Sequence, residues 1–175
     1  MIGIINPVVI VKEHFESLRE SASILTLCVL FFLFPAVVAF ILVKFAVFPS
    51  INFLNSLLTA VSIISALMFS LLFIVLEVGT KIKKDLAEKK QSPLNWRRYK
   101  LLRQLLTNVS FSILLGIALI LIILTALLLK EQINQLQIMK NIGTWLFYYL
   151  SFIYILTLLQ ILKRSYVLLE HELKL

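Results

Sequence analysis

Four stretches of almost unbroken apolar residues divide the chain, at 24–43, 53–78, 105–129 and 142–162. A helix rises about 1.5 Å per residue, so about 20 such residues cross a hydrocarbon core of about 30 Å. Each run therefore predicts a membrane-spanning helix. The first two runs are joined by a tight turn over residues 44–51, which holds Pro49 and Ser50, and the last two by a short polar hairpin over 130–141. The middle connection, 80–104, is longer and basic. Short connections make consecutive helices antiparallel neighbours, so the expected fold is all-α and integral to the membrane: a four-transmembrane-helix up-down bundle. Pro35 falls inside the first run and predicts a kink there, because it has no N–H to donate and its ring clashes with the turn before it.

Ahead of the first run, Asn6 and Pro7 suit a helix start, with asparagine as N-cap and proline at the first helical position. Val8, Val11, Phe15 and Leu18 then recur at helical spacing, while Lys12, Glu13, Glu16, Arg19 and Glu20 occupy the other faces. Residues 1–22 thus read as an amphipathic lead-in helix. It could lie on the membrane surface, meet a partner helix or pack on its own bundle. The first residues lack the basic segment of a signal peptide, so the first run is expected to be a retained span. Residues 164–175 read as a cytoplasmic, solvated helix end.

Composition agrees with the pattern. Of 175 residues, 61% are hydrophobic and 15% charged, against about 45–50% and about 25% for an ordinary soluble domain. A water-soluble fold of this size has no interior large enough for them. Cys28 is the single cysteine, so no disulfide can form within the chain.

Charge adds orientation. The 80–104 loop holds Lys81, Lys83, Lys84, Lys89, Lys90, Arg97, Arg98, Lys100 and Arg103 against Asp85 and Glu88, nine positive and two negative, hence +7 of the chain's +8. Lys12, Arg19, Lys163, Arg164 and Lys174 fall on the same side, and only Lys44, Lys130 and Lys140 on the other. Positive charge accumulates on the cytoplasmic face, so both termini and this loop are expected inside, in the cell inner membrane. Trp145, Tyr148 and Tyr149 would mark the outer aromatic belt, and Trp96, Tyr99 and Tyr166 the inner one. The basic residues with Trp96 fit anionic lipid headgroups and topology first, a cytoplasmic protein partner second, and nucleic acid least.

Polar residues inside the spans are the candidate functional positions. In the second run Asn52, Asn55, Thr59, Ser62 and Ala66 recur every three or four residues on one face, with Ser56, Ser65 and Ser70 near it and Glu77 at its inner end, close to Lys81. In the third, Asn108, Ser112 and Gly116 repeat every four residues. Small residues let helices approach closely and hydrogen-bond across the contact, so these faces predict helix packing and a homo-oligomer. The sharper alternative is a pore lined by the second-run face, with Glu77 at its inner mouth. His14 and His171 have no ligand partner at useful spacing and read as surface residues. There is no nucleophile beside a base, no phosphate loop and no paired metal motif, so neither an enzyme nor a cofactor is expected.

The four apolar runs, the lead-in over residues 6–20 and the basic stretch 81–103 together give an outline that resembles the small four-helix membrane subunits of bacterial anti-phage defence systems, of the Kiwa membrane-subunit type. The resemblance covers the whole chain as an outline, includes no diagnostic motif and carries over no functional residue. It implies an oligomeric inner-membrane sensor or anchor working with a cytoplasmic subunit, for which DNA binding is one option. Two functions follow as expectations: a non-enzymatic membrane scaffold that docks a cytoplasmic effector, or a pore-forming, ion-conducting membrane effector.

Overall fold

A computed structural model describes residues 7–19, 23–87, 93–129 and 137–173. All the regular structure among them is helical. Helix α1 runs Pro7–Arg19; α2 (Ile24–Cys28) passes through a π-helical turn, Val29–Leu33, into α3 (Phe34–Lys44); α4 is Ile51–Ala87, α5 Pro93–Leu128 and α6 Gln137–Leu173. Four of these stretches are long and apolar enough to cross a membrane: Leu25–Lys44, Ile51–Lys84, Trp96–Leu128 and Gln137–Glu170. Their outward faces carry bare phenylalanines and leucines, such as Phe40, Phe73 and Leu128. Lipid tails accept such a surface; water does not.

The local signals are visible at the helix ends. The Ser23 hydroxyl accepts from the Thr26 N–H at 3.2 Å to start α2, and the Ser50 hydroxyl accepts from the Phe53 N–H at 3.2 Å to start α4. Pro35 disturbs the first span as expected, but the disturbance takes the form of the π-helical turn directly before it, in which the Phe34 N–H reaches back to the Val29 carbonyl. At the end of α3, Ala46 adopts a left-handed φ of 53°. The Ala46 and Val47 N–H groups bond back to the Val43 and Leu42 carbonyls, each at 3.0 Å, the double closure that usually uses glycine.

The spans do not pack in sequence order. Helix α4 packs on α5, α5 on α6, and α6 on α3, while α3 and α4 make no substantial contact among the described residues. The up-down alternation stands, but the expectation that consecutive spans are neighbours fails for the first pair. The cause is the connection over residues 45–50, which lies across the start of α6. Tyr148 donates to the Val47 carbonyl at 3.3 Å, and the Lys140 ammonium sits 4.0 Å above the Phe48 ring. About one turn before Tyr148 on α6, the Trp145 indole N–H reaches the Ala36 carbonyl at 3.3 Å. These contacts seat the fourth span beside the first and leave α4 at the far edge of the row.

Three helices run well past their apolar stretches at one end of the bundle. With 37 residues, α4 and α6 are each about 55 Å long, against a hydrocarbon core of about 30 Å. The surplus at the C-termini of α4 and α6 and the N-terminus of α5 forms a collar beyond the apolar runs. An apolar cluster built on Val75, Leu102, Leu105, Val109, Ile113 and Ile161 extends into it through Ile82 and Leu168.

Candidate functional site at the α1 junction

Helix α1 runs antiparallel to α5. Glu13 faces Arg103 at 3.9 Å and His14 lies against Asn108 and Phe111, while Ile10 and Val11 pack beside the cluster that contains Phe111. Of the alternatives for the lead-in, packing on its own bundle is the one observed. Its buried face is turned from the expected stripe: His14, Ser17 and Leu18 are covered, whereas Val8 is 67% exposed.

His14 corrects the sequence reading most sharply. The ring was expected at the surface and is fully buried. It stacks on Phe111 with centroids 3.9 Å apart, and the Phe15 and Phe31 rings meet it edge-on at 5.3 and 6.2 Å. Nδ1 lies 3.0 Å from Asn108 Oδ1, so the neutral tautomer with a proton on Nδ1 donates to the amide oxygen. Burial pushes the imidazole down to about 4; the Asn108 bond opposes this and the Arg164 charge adds to it. The cage therefore holds a neutral histidine at physiological pH.

Arg164, from the C-terminal part of α6, locks the same junction. One guanidinium nitrogen donates to the Ser17 hydroxyl at 2.8 Å and the Gln104 carbonyl at 2.9 Å; the other reaches the Ser17 carbonyl at 3.2 Å. A single side chain thus joins α1, α5 and α6, as the rigid fork of arginine permits. The sequence assigned Arg164 only to topology and gave Ser17 and Gln104 no role. The available signal was that Ile10, His14, Ser17 and Leu18 share a helical face as consistently as the all-apolar stripe does.

The small face of the third span lies inside the monomer. Asn108 and Ser112 are fully buried and Gly116 is buried with them. A β-carbon added at Gly116 would collide with the Ser65 hydroxyl of α4 and come within 3.6 Å of the Tyr154 ring of α6, so glycine here lets three helices converge. The hydroxyls of Ser65, Ser112 and Tyr154 meet at this level, and none of them achieves hydrogen-bond geometry. Oligomer formation is therefore not needed to bury this face.

The second-span face has the opposite fate. Asn52, Asn55, Thr59, Ser62 and Ala66 are all exposed on α4, and among its described side chains only Leu54, Val61, Ser65 and Val75 are buried. Thr59 and Ser62 turn their hydroxyls back onto the Asn55 and Leu58 carbonyls at 3.1 and 2.8 Å, which satisfies them without a partner helix. Towards the C-terminal end of α4, Glu77 accepts from Lys81 at 2.7 Å, the pairing expected from their spacing.

The basic residues line the collar. Lys81, Lys83 and Lys84 are exposed on α4, and Trp96, Arg97, Lys100 and Arg103 on α5, with Arg98 half-buried. Lys89 and Lys90 lie outside the described residues, as do Asn6 and the side chain of His171. No group of three or more histidine, cysteine or acidic side chains is placed to hold a metal among the described residues. Compared with known proteins, the chain matches no family model, no curated protein and no solved structure.

Proposed function

We propose that this chain is a non-enzymatic scaffold or sensor subunit of the bacterial inner membrane, with both termini cytoplasmic, which docks a soluble effector on its basic collar. The observation that carries this reading is the one-sided extension of α4, α5 and α6 beyond their apolar runs. The collar offers rigid helices with exposed lysine, arginine and tryptophan at Lys81, Lys83, Lys84, Trp96 and Arg97. The far side offers a connection of six residues, 45–50, between α3 and α4. Long-range charge on the collar would steer an acidic partner or anionic headgroups towards it. A place in anti-phage defence rests on the outline resemblance alone, and homo-oligomer formation on the open edge of α4.

The test is purification of the full chain in nanodiscs with a C-terminal tag, read by mass photometry and mass spectrometry. A defined soluble protein should co-purify, and glutamine at Lys81, Lys83, Lys84 and Arg97 together should release it. If no soluble protein co-purifies, or if it stays bound to the neutralised collar, the reading fails.

One observation favours a second reading. The polar face of α4 lies at the edge of the row and covers nothing in the monomer. Copies arranged with these faces inward would line an aqueous path with Asn55, Thr59 and Ser62, and Glu77 would stand at its inner mouth.

A further inference from the structure

Where α1 leans on the collar it encloses a cleft of about 350 Å³ with an unusual division of charge. One wall is α1, which contributes Glu13 and Glu16; the other is α5, which contributes Lys100 and Arg103, with Trp96 and Tyr99 beside them. Two carboxylates thus face two cations. The Glu13–Arg103 pair approaches to 3.9 Å, while Glu16 meets Lys12 of its own helix at the same distance. These are long, exposed contacts that a ligand can replace at little cost.

The cleft sits at headgroup depth. Arg103 and Gln104 immediately precede the apolar run of α5, and Trp96 stacks on Tyr99 at 6.1 Å with 63% of its surface exposed, as indoles do at a membrane interface. Tyr99 and Arg103 also line a second groove of about 160 Å³ between α4 and α5, whose walls are Val75, Leu76, Leu102 and Leu106. A polar cleft with both signs of charge therefore adjoins an apolar groove that leads towards the bilayer.

We propose that this corner binds one ethanolamine phospholipid, with its ammonium on Glu13 and Glu16, its phosphate on Lys100 and Arg103, and the start of an acyl chain in the α4–α5 groove. Charge complementarity selects the class. A phosphate with a free hydroxyl headgroup leaves both carboxylates facing an anion. A choline headgroup supplies the positive charge but no N–H, whereas a primary ammonium offers three donors to two carboxylates. This inference is independent of the effector reading, because the site is complete in one chain.

The test uses the full chain in nanodiscs of equal parts phosphatidylethanolamine, phosphatidylglycerol and phosphatidylcholine, with retained lipid counted by native mass spectrometry. Phosphatidylethanolamine should be enriched over its share of the disc by about fivefold, the scale of one exposed ion pair. Glu13→Gln with Glu16→Gln should return it to the bulk proportion, and Lys100→Gln should lower its retention as well. Retention at the bulk proportion by the unaltered protein, enrichment of phosphatidylglycerol instead, or enrichment that survives the double glutamine change would each overturn the proposal. Displacement of the lipid by soluble glycerophosphoethanolamine at equal concentration would also overturn it, because the apolar groove would then contribute nothing.

Discussion

The Nδ1 atom of His14 lies 3.0 Å from the Oδ1 atom of Asn108, a buried contact between residues 94 positions apart that fixes α1 against the third span. Each partner also has a nitrogen, His14 Nε2 and Asn108 Nδ2, that is buried without a hydrogen-bond partner. The pair is thus held by one bond, and it is burial of the ring in its phenylalanine cage that depends on the imidazole staying neutral.

That dependence gives a pH prediction. His14 titrates near 4 when docked and near 6.5 when released. Its contribution to docking is complete above about 6.5, shrinks as the pH falls towards 4, and at the limit amounts to roughly 3 kcal/mol. The charge that acts on it across the junction is that of Arg164 on α6, which adds to the effect of burial. A spin label at Val9, in a Cys28→Ser background, should become more mobile as the pH is lowered through this window. His14→Gln should flatten the response; an unchanged profile would show that the transition does not arise at His14.

Arg164 makes a sharper separation between charge and geometry. Arg164→Lys keeps the positive charge but cannot donate to Ser17 and Gln104 as a planar fork. Loss of about 2 kcal/mol is expected, on the scale of charged hydrogen bonds left unmade. Hydrogen exchange should rise over residues 7–19 and remain unchanged over the centre of α4, which makes no substantial contact with α1 among the described residues.

The Gly116 site predicts a compensating pair. Gly116→Ala should lower thermal stability in detergent by about 1–3 kcal/mol, the cost of overpacking a tight contact. Ser65→Ala removes the atom that the new methyl meets, so the double variant should recover most of the loss. Additive losses instead would mean that the Tyr154 ring, not Ser65, limits the approach.

For the α4 face, leucine at Asn55, Thr59 and Ser62 together should leave the fold intact, because all three are exposed and packed against nothing in the monomer. Thermal stability in detergent should stay within about 0.5 kcal/mol of the parent, as for surface changes away from structural features. Liposome flux then decides the second functional reading. Any ion flux that the parent protein supports should vanish if this face lines the path, and flux that survives places the path elsewhere.

Much of this architecture was legible in the residues. The four apolar runs, the lead-in helix and the Glu77–Lys81 pair all stand where their spacing put them. The rotation of α1 was not, because a hydropathy pattern scores Val8 as core and His14 as surface, and only a waiting amide and a phenylalanine cage reverse that order. Span order was equally hidden. Residues 45–50 are short enough to hold the first two spans together, and nothing in them announces that Val47 and Phe48 bind the start of α6 instead. The two polar faces looked alike in sequence, yet Asn108 and Ser112 are buried while Asn55 and Ser62 are bare. The difference lies in which helix occupies the middle of the row, a property of the assembled protein that periodicity within one helix cannot carry.

The strap across the start of α6 also imposes an order of assembly. During synthesis the first span emerges long before its structural neighbour, and the α4–α5 hairpin can form while that span still lacks a partner. Until the fourth span enters, and Trp145 and Tyr148 reach Ala36 and Val47, only α1 among the described residues ties the first half to that hairpin, through His14 and Asn108. The fourth span is therefore the keystone. Until it inserts, the first span stays uncovered along the side that α6 will take, open to whatever chaperone or quality-control protease patrols the membrane.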